Sequence, residues 1–189
     1  MSEEILDTGF SAPASEIKHA KFAGFWIRVA AAIVDFIVLL PILGLSTYNL
    51  LVIKSMPLML LLSVIGMLYK PYLEWKKSAT LGKMAVGIRL VDGSMNNISL
   101  EHAIKRYIPW IINYGISMLT NFMMFTMPEF QAVESYLELG PIMQNTPFYI
   151  INNIYSFVFF IIVVSVAFDA RKQGLHDKFA KTYCIVDSK

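Results

Sequence analysis

The sequence predicts an all-α membrane protein: four transmembrane helices with a small cytoplasmic element containing two short strands. Three observations carry this. Of 189 residues, 56% are apolar and only 16% are charged, whereas an ordinary soluble domain carries about 25% charged residues. Mean hydropathy is +0.56. Four apolar segments approach the ~20 residues that cross a bilayer, and the basic residues are confined almost wholly to alternate loops.

Residues 1–20 hold Glu3, Glu4, Asp7 and Glu16. A cleavable signal starts with basic residues, so this stretch reads as a polar, poorly ordered tail. The membrane domain is expected over 21–187. Its spans are 25–45, 56–73, 107–127 and 148–168. Span one contains Arg28 and Asp35, and span two ends on Lys70 and Pro71, which predicts a kink at its inner end. The apolar runs lack two-residue alternation, which argues against a β-barrel.

Between spans two and three, Thr80 is placed to cap a short helix running towards Gly87. Ile88 to Val91 then reads as a strand closed by Asp92-Gly93. Ser99 can cap the helix leading into span three. Thr182 to Val186 is a second strand-like run, and the two strands are expected to pair.

Orientation follows from loop charge. Fifteen of the 16 basic residues fall before span one, between spans two and three, after span four, or at the inner ends of spans one and two (Arg28 and Lys70); Lys54 alone lies on the other side. The loop 128–147 has Glu129, Glu134 and Glu138 and no Lys or Arg. Both termini are therefore expected in the cytoplasm. Aromatic residues at the inner ends (Trp26, Tyr72, Trp75, Trp110) fit an interfacial belt.

Several classes are disfavoured. A net charge of +2 is too balanced to suggest a nucleic-acid partner. One cysteine and three histidines argue against a disulfide framework or a metal centre. Thr80-Leu81-Gly82-Lys83 lacks the glycine spacing of a phosphate loop, and His176-Asp177 has no second histidine at ligand spacing. No catalytic set, metal or cofactor is expected, and the chain reads as a non-enzyme.

Three blocks then carry a resemblance. Phe22-Ala23-Gly24-Phe25-Trp26-Ile27-Arg28 with Asp35 resembles the opening of the RDD family of bacterial membrane proteins. Ala79-Thr80-Leu81-Gly82-Lys83 with Gly87-Ile88-Arg89-Leu90-Val91-Asp92 is similar to its central motif. Phe168-Asp169-Ala170-Arg171-Lys172-Gln173-Gly174-Leu175-His176-Asp177 resembles its closing motif. The resemblance implies a bacterial inner (plasma) membrane location. It implies that Arg28 and Asp35 are the family's arginine and first aspartate. The second is Asp169 or Asp177, with Asp177 preferred. The loop 128–147 is longer than a minimal member needs. A transport role, including sodium–proton exchange for some members, has been suggested for the family.

A carboxylate at membrane depth costs at least ~2.5 kcal/mol and needs compensation. Asp35 is therefore expected to face the bundle interior. Depth along the helices nominates Lys70 as its partner, with Asn113 and Ser117 from span three nearby. At the shallower level Glu74 is matched with Arg28, with Asp169 and Asp177 as rivals. The functional expectation is transport of a cation or small solute, with proton coupling at Asp35. Its partners would be the lipid bilayer, a cation or proton, and a second copy of the chain. The alternative is a non-transporting scaffold, assembly or regulatory module.

Overall fold

A computed structural model describes residues 20–187; the tail expected over 1–20 lies almost wholly outside the described residues. Helix α1 (Phe25–Tyr48) runs into a π-helical turn, Asn49–Ile53. The buried Asn49 amide both donates to and accepts from the Ser55 backbone, and this closes the hairpin into α2 (Met56–Lys77). Ser55 caps α2 and Pro57 sits in its first turn, where a missing N–H costs nothing. The helix does not stop at Leu73 as expected but continues past Pro71 to Lys77.

Next come the short helix α3 (Leu81–Ala85), strand β1 (Ile88–Asp92) and the long helix α4 (Leu100–Thr126). The Thr80 and Ser99 caps form as expected, each hydroxyl accepting from the backbone three residues on. Two 3₁₀ turns, Pro128–Ala132 and Tyr136–Glu138, lead to α5 (Leu139–Gln144). Helix α6 (Tyr149–Val164) ends in a 3₁₀ turn, Ser165–Phe168. The chain closes with α7 (Leu175–Phe179) and β2 (Thr182–Val186).

The strands pair antiparallel, Ile88 opposite Val186 and Asp92 opposite Thr182. Each is too short to stand alone, and the pairing satisfies both. The approach to α1 joins them: Ala23 N–H donates to Cys184 O at 2.8 Å, and Val186 N–H to Lys21 O at 2.8 Å. This forms a cap at one end of the bundle, with a core of Ala23, Ala31, Ile88, Leu90, Ile98, Ala103 and Cys184. At the opposite end Phe130, Val133 and Leu139 of the long loop pack on Met59, Met124 and Phe125. Lys54, the one basic residue expected there, fastens that loop by donating to the Gln131 and Val133 carbonyls.

Among the described residues three helices are long and apolar enough to cross a membrane: Phe25–Ile53, Met56–Lys77 and Tyr149–Phe168. Four were expected. The third, α4, is present as a 27-residue helix, but Asn113, Tyr114 and Asn121 make it less apolar than the others. It packs between α2 and α6, so less of its surface faces outward.

Candidate functional site

The charged residues gather where the cap meets the bundle. Asp35, 4% exposed, is held by three donors. Tyr69 Oη donates at 2.8 Å, Thr80 Oγ1 at 2.7 Å and the Gly82 backbone N–H at 2.7 Å. Thr80 thus caps α3 on one side and binds Asp35 on the other. Gly82 is obligatory here, because a Cβ on it would lie 2.0 Å from the Ala31 carbonyl oxygen. Asp35 therefore clamps the start of α3 against α1.

Asp35 faces inward as expected, but its expected partner is corrected. Lys70 forms no ion pair with it. Lys70 follows Tyr69 directly and so points about 100° away from it around α2, and its ammonium sits over the Trp110 ring, 5.6 Å from its centroid. Asn113 and Ser117 do not reach Asp35 either. Ser117 Oγ donates to Asn152 of α6 at 3.3 Å, tying two helices together, and the buried Asn113 Oδ1 accepts no hydrogen bond.

A chain of alternating charge crosses five elements. Arg28 of α1 donates from Nη1 to Asp177 Oδ2 at 2.6 Å, and from Nη2 to the Lys172 carbonyl at 2.6 Å. The other Asp177 oxygen pairs with Arg106 of α4, which also donates to Thr182 Oγ1 at 2.8 Å. Arg106 Nε reaches Glu74 of α2 at 3.3 Å, and Glu74 pairs in turn with Lys83 of α3. The match of Glu74 with Arg28 is thus corrected. Equal depth does not make neighbours, and Arg106 lies between Glu74 and the Arg28–Asp177 pair.

Asp177 is fully buried. Burial alone would push its carboxyl up, but the positive charge of Arg106, then that of Arg28, outweighs this and holds it well below the usual carboxylate range. The Gly174 N–H adds a hydrogen bond at 3.1 Å. Beside it, burial pushes His176 below its ordinary value, so its imidazole is neutral at pH 7 and meets Asp177 Oδ1 from Nε2 at 3.1 Å. Asp169 does different work: its Oδ1 accepts from the backbone of Arg171 and Gln173, and its other oxygen pairs with the half-exposed Lys178. Of the two candidate aspartates, Asp177 is the one that meets Arg28.

Sequence reasoning missed Arg106, Tyr69 and Lys83 as members of this site. Arg106 was legible only as one of the inner basic residues. Its position about two turns past the capped start of α4, beside the expected membrane boundary, was the available signal.

A cavity of about 280 Å³ opens beside this lattice. Its polar lining includes Arg28, Lys70, Lys83 and Arg106 together with Asp35 and Glu74. Phe25, Val29 and Ala32 of α1 face Phe159 and Val163 of α6 across its apolar part. Among the described residues no group of three or more His, Cys, Asp or Glu side chains could hold a metal ion.

No curated protein and no solved structure matches the chain. A family model, that of the RDD family, matches residues 22–181. That stretch takes in the whole lattice from Arg28 to Asp177, and the chain belongs to the RDD family.

Proposed function

We propose that the chain is a multi-pass inner-membrane transporter of a small solute, with four spans and both termini cytoplasmic, and that the solute carries negative charge. The fourth span is α4. Its 27 residues extend for roughly 40 Å, more than the ~30 Å hydrocarbon core, and a helix flanked by two others needs less apolar surface than one facing lipid. The charge of the loops supports the orientation.

One observation carries the choice of solute. The carboxylates around the cavity are already matched: Asp35 by three donors, Glu74 by Lys83 and Arg106, and Asp177 by two arginines. Lys70, in contrast, lines the cavity with no hydrogen-bond acceptor among the described residues. A half-buried cation that faces the cavity and forms no ion pair of its own favours an anion as guest. Lys70 then replaces Asp35 as the centre of the site, and of the two expected cargoes, a cation or a small solute, the small solute is favoured. Four helices are few for alternating access, so the transporting unit would be a homodimer or larger.

The test is flux in liposomes holding the purified protein, with a panel of small organic and inorganic anions and of cations, wild type beside Lys70→Met. The expected result is anion flux that the variant abolishes while its thermal stability is kept. The second reading is the non-transporting module. The closed lattice favours it, since five elements locked by matched charges resist the movement that a carrier needs. Wild-type protein that passes none of the panel under any gradient assigns that reading.

A further inference from the structure

The cavity combines one unpaired ammonium with apolar walls contributed by two helices that do not belong to the same packed pair. Helix α1 packs on α3 and α2, whereas α6 packs on α4. Phe25, Val29 and Ala32 of α1 and Phe159 and Val163 of α6 face each other across the gap. Ala32 is exposed although it lines the cavity, and so are its neighbours Ile33 and Phe36. The gap therefore opens sideways, onto surface that faces acyl chains when the bundle lies in a bilayer, and Lys70 and Trp110 stand at its inner end.

Resting on the anionic-solute reading above, we propose that the cavity admits an anionic lipid laterally: an acidic oxygen head on an alkyl chain, the head against Lys70 and the chain lying between α1 and α6. The volume suits this guest. At about 280 Å³ it falls at the low end of small-molecule sites, roughly 300–1,000 Å³. It holds a head and the first few carbons, and the rest of the chain stays in the bilayer. Charge also fits. The cavity presents Arg28, Lys70, Lys83 and Arg106 against Asp35 and Glu74, and with Asp177 behind them the balance is still one positive charge in excess. A zwitterionic head would bring its own cation against Lys70. Two lipid sources share the required chemistry, a phospholipid phosphodiester and a fatty carboxylate.

Trp110 provides the readout. With Trp26 and Trp75 changed to Phe, it is the last of the three tryptophans, and its ring touches the cavity. Quenching is measured in nanodiscs doped with chain-brominated phosphatidylglycerol, phosphatidylcholine or oleate. The expected result is preferential quenching by phosphatidylglycerol or oleate over phosphatidylcholine, roughly fivefold, as for one basic residue at an anionic membrane surface. Lys70→Met should collapse the ratio to one, and Lys77→Met, on the exposed end of α2, should leave it unchanged. Ala32→Phe, which blocks the gap without altering charge, should lower quenching by every brominated lipid. The stronger of the two anionic quenchers identifies the source.

Equal quenching by anionic and zwitterionic lipid in the wild type overturns the inference. So does a preference that Lys70→Met keeps and Lys77→Met removes, which would mean surface attraction only. Soluble glycerol phosphate separates the two proposals. If it raises the unfolding temperature through Lys70 while the lipids show no preference, the solute reading stands and the lipid inference falls. If neither lipid nor glycerol phosphate responds to Lys70, both fall.

Discussion

Gly82→Ala is a change that helix propensity and the structure judge oppositely. Gly82 lies inside α3, where alanine should gain about 1 kcal/mol. The structure reverses the sign. The new Cβ would stand 2.0 Å from the Ala31 carbonyl oxygen and 2.8 Å from Asp35 Cγ. Carbon contacts need about 3.5 Å, so α3 must retreat by about 1.5 Å. That retreat stretches the 2.7 Å bond from Gly82 N–H to Asp35 beyond hydrogen-bond range. A hydrogen bond to a charged acceptor is worth ~1.5–3 kcal/mol, and overpacking adds ~1–3 kcal/mol. After the propensity gain, the net loss is about 3 kcal/mol, or on the order of 10 °C for a chain of this size. The assay is built into the protein. Cys184, the only cysteine, is 1% exposed beneath the cap, so a thiol-reactive dye reports cap opening during heating in detergent. Gly115→Ala, inside α4 with nothing within 4 Å of its Cβ, is the control and should gain up to about 1 kcal/mol. A Gly82→Ala protein that melts at or above the wild-type temperature would falsify the clamp.

Four further outcomes follow from the same geometry. Asp177→Asn keeps the shape but leaves Arg28 and Arg106 short of a counter-charge, and should cost about 3 kcal/mol in the same melt; Asp169→Asn, paired only with half-exposed Lys178, should cost under ~1 kcal/mol. A smaller loss at Asp177 than at Asp169 would invert the assignment. His176 is held neutral by burial, so its folded pKa lies below the unfolded ~6.5. Stability is then full above that value and falls as pH drops from 7 to 5; His176→Gln should flatten this part of the profile, and an unchanged slope would refute it. Asp35→Asn with Lys70→Met should show single-variant costs that add to within about 0.5 kcal/mol, since the two are not partners; rescue of one by the other would restore the pairing that the sequence suggested. A cysteine at Glu134 should react with an impermeant reagent added outside intact cells and one at Lys77 should not, and the opposite pattern would reverse the topology.

What was legible in the sequence followed from periodicity and local chemistry. The caps at Thr80 and Ser99 need only a hydroxyl before a helix, and both form. The strands needed only two β-prone runs on one side, and they pair over their full length. Depth along a helix was also readable, which is why Asp35 was expected to be buried and compensated. Azimuth was not. Depth matched Asp35 with Lys70 and Glu74 with Arg28, yet a helix turns 100° per residue, so neighbours in sequence point different ways. Tyr69 meets Asp35 while Lys70 turns to Trp110. The amount of compensation was misjudged for a related reason: a free N–H and two hydroxyls satisfy a carboxylate as well as a lysine does, and no charge count reveals them.

The lattice makes sense of one cation left over. Five elements bring a charge to the inner end of the bundle: α1 Arg28, α2 Glu74, α3 Lys83, α4 Arg106 and α7 Asp177. Asp177 and Glu74 each sit between two cations from different elements, so none of these five can be lifted without stranding a buried charge, at a cost of several kcal/mol. Such an arrangement fixes which helices neighbour one another, the one thing that uniform apolar surfaces in lipid cannot do, because lipid tails are as apolar as the side chains. Had Lys70 only a packing role, a methionine would fill the same space without the desolvation of an ammonium. It stands outside the lattice, beside the cavity, over the Trp110 ring and in no ion pair among the described residues. Asp35 and its three donors hold the cap in place, and Lys70, which lines the cavity outside the lattice, is the group that the proposed anionic guest would meet.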